Sequence, residues 1–222
     1  MRNKLGRFAD NEQRYNIVQQ GKEFFEAAKG KWNSEHFKNE NDIVLELACG
    51  NGEYTVGLAE KMPEKNFIGV DIKGSRMWVG SSQAIDAGMD NVAFLRTQIL
   101  MLEKFFGESE ISEIWITFPD PRPRDRDEKR RLTHTRFLEM YKKILKPGGW
   151  IKFKTDNTGL FDYTLELLQQ RDDIKSHVFT KDLYEDEELM KDHYGIKTRF
   201  EAKFYALGEK IKYMKFQFKD DD

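Results

Sequence analysis

Glu46-Leu-Ala-Cys-Gly-Asn-Gly52 is the first stretch of the chain whose residue types and spacing could do chemistry. Gly50 and Gly52 permit positive φ and let a ligand come close to the backbone. A dinucleotide-binding turn would carry a further glycine three residues after Gly52, and Thr55 stands there instead. A pyrophosphate needs that glycine-lined approach, so the pattern favours a ligand without phosphates and opposes a nicotinamide oxidoreductase. Glu46, just before the turn, also disfavours an anion. Its carboxylate suits a cationic group, such as the amino or sulfonium end of S-adenosylmethionine. Asp71 closes the next apolar run, where an acid can accept both ribose hydroxyls of a nucleoside. Cys49 lies inside the turn, but no histidine is placed by sequence to activate it, and it reads as a small buried filler.

A second candidate is Thr117-Phe-Pro-Asp-Pro-Arg-Pro123. Its alternating prolines preset an extended loop, and Asp120 between two of them is the group such a loop would hold. Arg122–Arg131 follows with six basic and three acidic residues, and Arg2, Lys4 and Arg7 add a basic start. The net charge of −2 rules out a wholly basic nucleic-acid coat. Two basic clusters on a nearly neutral chain fit a docked polyanion such as RNA, with Arg124, Arg126, Arg130 and Arg131 toward its phosphates. Asp156, in Lys154-Thr-Asp-Asn157, either caps the helix that follows or faces the pocket. Thr198-Arg-Phe-Glu201 has no physical reading of its own.

These groups need elements to position them. Apolar runs at 43–48, 67–72, 92–95, 111–118 and 150–155 read as strands, and amphipathic spacing between them reads as helices. The alternation predicts an α/β protein with a Rossmann-like, doubly wound, mostly parallel sheet. Ligands of such sheets sit at the carboxyl ends of the strands, where the glycine turn, Asp71 and the Asp120 loop all fall. Residues 174–180 and 210–218 alternate as added edge strands would, antiparallel at the C-terminal end. Residues 1–41 read as an N-terminal arm with one amphipathic helix over 12–29, 42–219 as the main domain, and 220–222 as a frayed tail.

In order along the chain, six pieces form a series: Lys29-Gly-Lys-Trp-Asn33, Glu46-x-x-x-Gly-x-Gly52, Ile68-Gly-Val-Asp71, Phe118-Pro-Asp-Pro121 with Glu128-Lys-Arg-Arg-Leu132, Phe153-Lys-Thr-Asp-Asn157 and Thr198-x-x-Glu201. This series resembles the bacterial tRNA (guanine-N7)-methyltransferase family. The resemblance implies a class I methyltransferase fold, S-adenosylmethionine as cofactor, and a guanosine in the variable loop of tRNA as substrate. It places Glu46, Gly50, Gly52, Asp71, Gln98 and Asp120 around the methyl donor, with Asp120 as the catalytic residue. Arg124, Asp156, Thr198 and Glu201 take positions linked to the substrate. The family usually has Trp where Arg122 stands, Lys at Arg124 and Asp at Gln98.

Guanine N7 carries an in-plane lone pair and no proton, so its methylation needs alignment more than a general base. A carboxylate near the ring, from Asp120, Asp156 or Glu201, would offset its developing positive charge and read N1–H and the 2-amino group together. Pro119-Asp-Pro-Arg122 lacks the second proline and the aromatic of the loop that grips exocyclic amines, which sets an amino-group methyltransferase second. A non-catalytic RNA-binding module is a further alternative. One cysteine and four scattered histidines give no metal ligand set. No apolar run spans a membrane, and the expected setting is the cytoplasm, as a monomer or homodimer.

Overall fold

In the computed structural model, which describes residues 2–220, the apolar runs become strands and the segments between them helices. The N-terminal portion holds α1 (Lys4–Gln13), β1 (Ile17–Val18) and α2 (Glu23–Ala27). The central portion holds β2 (Ile43–Leu47), α3 (Glu53–Lys61), β3 (Asn66–Asp71), α4 (Gly74–Asp86), β4 (Val92–Arg96) and β5 (Ile111–Thr117). After them come α5 (Thr135–Ile144), β6 (Leu145–Thr155), α6 (Thr158–Gln169), β7 (Ile174–Thr180), α7 (Arg199–Ala206) and β8 (Lys212–Phe218). Residues 221 and 222 of the expected tail lie outside the described residues. Asp220 pairs with Lys175 at 3.1 Å.

The described residues form one eight-stranded sheet in the order β1-β4-β3-β2-β5-β6-β8-β7. The first six in that order run parallel, and β8 pairs antiparallel with both β6 and β7. This is the Rossmann-like sheet with antiparallel strands at one edge that the alternation predicts. Strand order reverses between β2 and β5, so the carboxyl ends Leu47 and Thr117 flank the crevice where open α/β sheets bind ligands. Every residue of β2 is buried, as fits a strand covered on both faces. One apolar layer packs Phe137, Leu138, Tyr141 and Phe161 from α5 and α6. The other packs Tyr54, Leu58, Met77 and Ala84 from α3 and α4.

Three local features differ from the sequence pattern. The helix expected over 12–29 is instead two helices around a strand. Ile17 and Val18 are adjacent and β-branched, and they pair with Phe94 and Leu95 as the sheet edge; Gly21 at φ +93° then turns the chain. The strand read over 150–155 starts earlier, since β6 runs from Leu145 and its register against β5 jumps from Ile111–Leu145 to Glu113–Trp150. Asn157, not Asp156, caps α6: its side chain accepts the Leu160 N–H at 2.8 Å.

Candidate active site

The glycine turn is shaped by its neighbours. Ala48, Gly50 and Gly52 all have positive φ, at +58°, +55° and +74°. A Cβ on Gly52 would lie 2.5 Å from the Phe94 ring, so only glycine lets α3 start so close to the sheet. Asp71 accepts the Gly50 N–H at 2.9 Å through Oδ2 and the Lys73 N–H at 2.8 Å through Oδ1. It therefore ties the turn to the end of β3, and each oxygen keeps a lone pair for a ligand.

Glu46 is almost closed off, at 3% exposure. Its Oε2 accepts the Thr55 N–H at 2.8 Å and the Thr55 hydroxyl, and its Oε1 accepts the Thr117 hydroxyl at 2.6 Å. Burial pushes the Glu46 carboxyl up to about 7, against the pull of those hydrogen bonds and of the Lys154 charge. Thr55, the residue that breaks the dinucleotide fingerprint, is thus what holds the acid in place.

Two clefts open at this rim. The first, about 380 Å³, brings together Asp71, Gln98 and Asp120. Its apolar walls include Ile72 and Leu100, which are 54% and 48% exposed. The second, about 490 Å³, holds Glu46, Thr117, Phe118, Thr198 and Phe200. Ala48 lines both clefts, so they meet at the glycine turn. The donor set fits a nucleoside with a cationic tail: apolar walls for the base, Asp71 for the ribose, and Glu46 beyond Ala48 for the positive end.

The proline loop leaves β5 under tension. Phe118 donates its N–H to the Lys154 carbonyl at 2.8 Å, and both Phe118 and Arg122 adopt φ +47°, a conformation non-glycine residues seldom take. Between them Asp120 is exposed and paired with Arg122 at 3.0 Å. The basic segment divides by role. Arg124 binds Asp127 at 2.7 Å, and Arg130 reaches the same acid at 3.3 Å while lining the first cleft. Arg131 donates to the Arg122 carbonyl at 3.2 Å and lies over the Tyr163 ring at 4.3 Å. Arg126 is exposed on the surface.

The remaining positions that the resemblance links to the substrate are spread. Thr198 is the N-cap of α7, accepting the Glu201 N–H at 3.1 Å, and it faces the second cleft. Glu201 is 0% exposed. Its carboxylate takes Lys154 at 2.8 Å, His193 Nε2 at 3.0 Å and the Tyr184 hydroxyl at 3.0 Å, so it supports the cleft wall from behind. Burial raises its pKa, but the His193 hydrogen bond and the Lys154 charge outweigh this and leave it lowered. Asp156 is half-buried beyond β6 and lines neither cleft; burial raises its carboxyl, and its carbonyl accepts Lys212 Nζ at 2.7 Å.

Phe200 and Arg136 line the clefts with no sequence signal of their own. Thr117 and Lys154 stand in stretches singled out for Asp120 and Asp156, and their contacts to Glu46 and Glu201 arise only in the fold. The spacing Thr198-x-x-Glu201 is that of a capping box, which would have pointed to a helix start. Among the described residues no helix is long and apolar enough to cross a membrane, and no cluster of three His, Cys, Asp or Glu could hold a metal.

A family model described as "Putative methyltransferase" matches residues 40–214. The chain is 50% identical over 98% of both chains to the tRNA (guanine-N(7)-)-methyltransferase of Cytophaga hutchinsonii. It is 47% identical to that of Christiangramia forsetii, over 98% of this chain and 99% of the relative. The 16S rRNA methyltransferase KamB shares the fold, with a TM-score of 0.66 over 92% of this chain and 99% of its own at 15% identity. Identity of this extent over nearly the whole of both chains places the chain in the tRNA (guanine-N7)-methyltransferase family.

Proposed function

We propose that the chain transfers the methyl group of S-adenosylmethionine to N7 of a guanine in tRNA, within the variable loop, in the cytoplasm. The relatives' names give the reaction. The observation that carries it here is the meeting at Ala48 of a partly apolar cleft with Asp71 and Gln98 and a second cleft holding Glu46. The cofactor supplies an electrophilic methyl on a sulfonium.

Asp71 accepts the ribose hydroxyls and Gln98 hydrogen-bonds the adenine edge. Glu46 faces the cationic methionine end. Asp120, held at the mouth by its stiff loop, offsets the positive charge that the guanine gains as N7 attacks. Phe118 and Phe200, with ring centroids 5.5 Å apart, offer the base an aromatic surface in the second cleft. No side chain has to remove a proton, so orientation dominates the chemistry.

Labelled methyl transfer to unmodified tRNA, followed by mapping of the methylated atom, tests the assignment. N7-methylguanine is the expected product. Label on an exocyclic amine would indicate the amino-group reaction, and binding without transfer would indicate an RNA-binding module.

A further inference from the structure

Asp120 has a partner of its own. Its Oδ2 lies 3.0 Å from Arg122 Nη2. Arg122 reaches back to the acid two residues earlier because its φ is +47°. The backbone behind it is fixed, since Arg131 donates to the Arg122 carbonyl at 3.2 Å. The Arg122 side chain remains one-third exposed and opens on the first cleft, together with Arg130 and Arg136. Arg130 holds Asp127 only at 3.3 Å. Arg136 has no carboxylate partner among the described residues and rests over the Phe137 ring at 4.8 Å.

Three guanidinium groups therefore line the cleft proposed for the nucleoside part of a ligand whose other end is cationic. Such a cluster opposes a ligand of net positive charge unless an anion arrives with it. Guanidinium forks match phosphate oxygens in pairs, and a phosphate is a stronger partner than an exposed carboxylate that must stay available.

Building on the methyltransferase reading above, we propose that Arg122, Arg130 and Arg136 form a phosphate subsite for the RNA backbone at the mouth of the cofactor cleft. A phosphate seated there draws Arg122 away from Asp120 and frees the carboxylate for the positively charged reactants. RNA and cofactor then each tighten the binding of the other, by the same factor.

The test is calorimetric titration of the whole chain with sinefungin, a cationic analogue that transfers no methyl group. Each titration is run alone, with inorganic phosphate at constant ionic strength, and with unmodified tRNA. In the unmutated chain tRNA should tighten analogue binding about five- to tenfold, with phosphate giving a smaller gain in the same direction. A gain with phosphate as large as with tRNA would identify a free-anion site and overturn the RNA assignment. Arg122→Gln should bind the analogue more tightly than the unmutated chain in the absence of any anion, and gain little on adding tRNA. Arg136→Gln should lose most of the gain from tRNA. Thermal melts establish that both variants are folded. Equal analogue affinity for Arg122→Gln and the unmutated chain without anions overturns the subsite, as does a tRNA effect that survives in both variants. If the folded, unmutated chain does not bind the analogue under any condition, the methyltransferase reading itself fails, and the subsite with it.

Discussion

A carboxylate that neutralises a cation can be prepared in two opposite ways, and the two acids proposed to face the cationic reactants show both. Asp120 is solvent-facing on a stiff loop, with 66% of its side chain exposed. Asp120→Ala should abolish methyl transfer while leaving the melting temperature within about 2 °C, because surface changes of this kind cost ~0.5 kcal/mol or less. Turnover at the unmutated rate would remove Asp120 from the mechanism. Glu46 is buried, and its carboxyl is raised from the ordinary 4.5 to about 7. A raised carboxyl favours the fold below about pH 4.5, and that contribution is lost as pH climbs through 7. Glu46→Gln should therefore stabilise the protein at pH 8 by about 2 kcal/mol, with little change at pH 5, and should weaken cofactor binding. Urea melts at the two pH values check the first part. A cationic ligand favours the ionised form, so binding should release a proton and tighten between pH 6 and 8; calorimetry in buffers of different ionisation enthalpy measures it. Asp71, Glu46 and Asp120 were legible because each stands beside a glycine or proline signature. The role of the threonines that hold Glu46 was not, since Thr55 on α3 and Thr117 at the end of β5 reach the acid only once the fold brings them together.

At the level of elements, α7 is fastened more firmly than its exposed face suggests. The Lys154–Glu201 pair is buried on both sides, at 1% and 0% side-chain exposure. Glu53 adds a second hold by accepting the Arg199 N–H at 2.8 Å. Glu201→Ala would strip Lys154 of its ion-pair partner in the interior, and should cost about 3–5 kcal/mol by urea unfolding. Replacing both members with apolar residues, as in Lys154→Met with Glu201→Leu, should recover most of that loss. A similar loss in the double variant would show that the other partners of Glu201, His193 and Tyr184, carry the stability. The sheet strands were legible from their unbroken apolar runs. The split of the 12–29 segment was not, because Ile17 and Val18 gain their partner from β4, far away in sequence.

For the whole molecule, net charge conceals where charge is used. Among the basic segment's arginines, Arg126 and Arg130 face outward or into the cleft, whereas Arg131 is committed to the Arg122 carbonyl and the Tyr163 ring. Arg126→Gln and Arg130→Gln should each reduce the slope of log affinity for tRNA against log salt by about 0.7–0.9. Arg131→Gln should leave the slope nearly unchanged while lowering stability. Filter binding over a salt series distinguishes the two classes. The sequence pattern located this segment but could not sort its members, because partner choice depends on Asp127 and Tyr163 in three dimensions.

The position of β8 has a consequence for how the protein is made. It lies between β6 and β7, bonded to both. On the ribosome β7 therefore emerges with no neighbour to join, and β6 waits with an open side until β8 has been synthesised. The nascent chain should stay protease-sensitive across residues 174–180 until that strand leaves the exit tunnel, then become resistant in a single step.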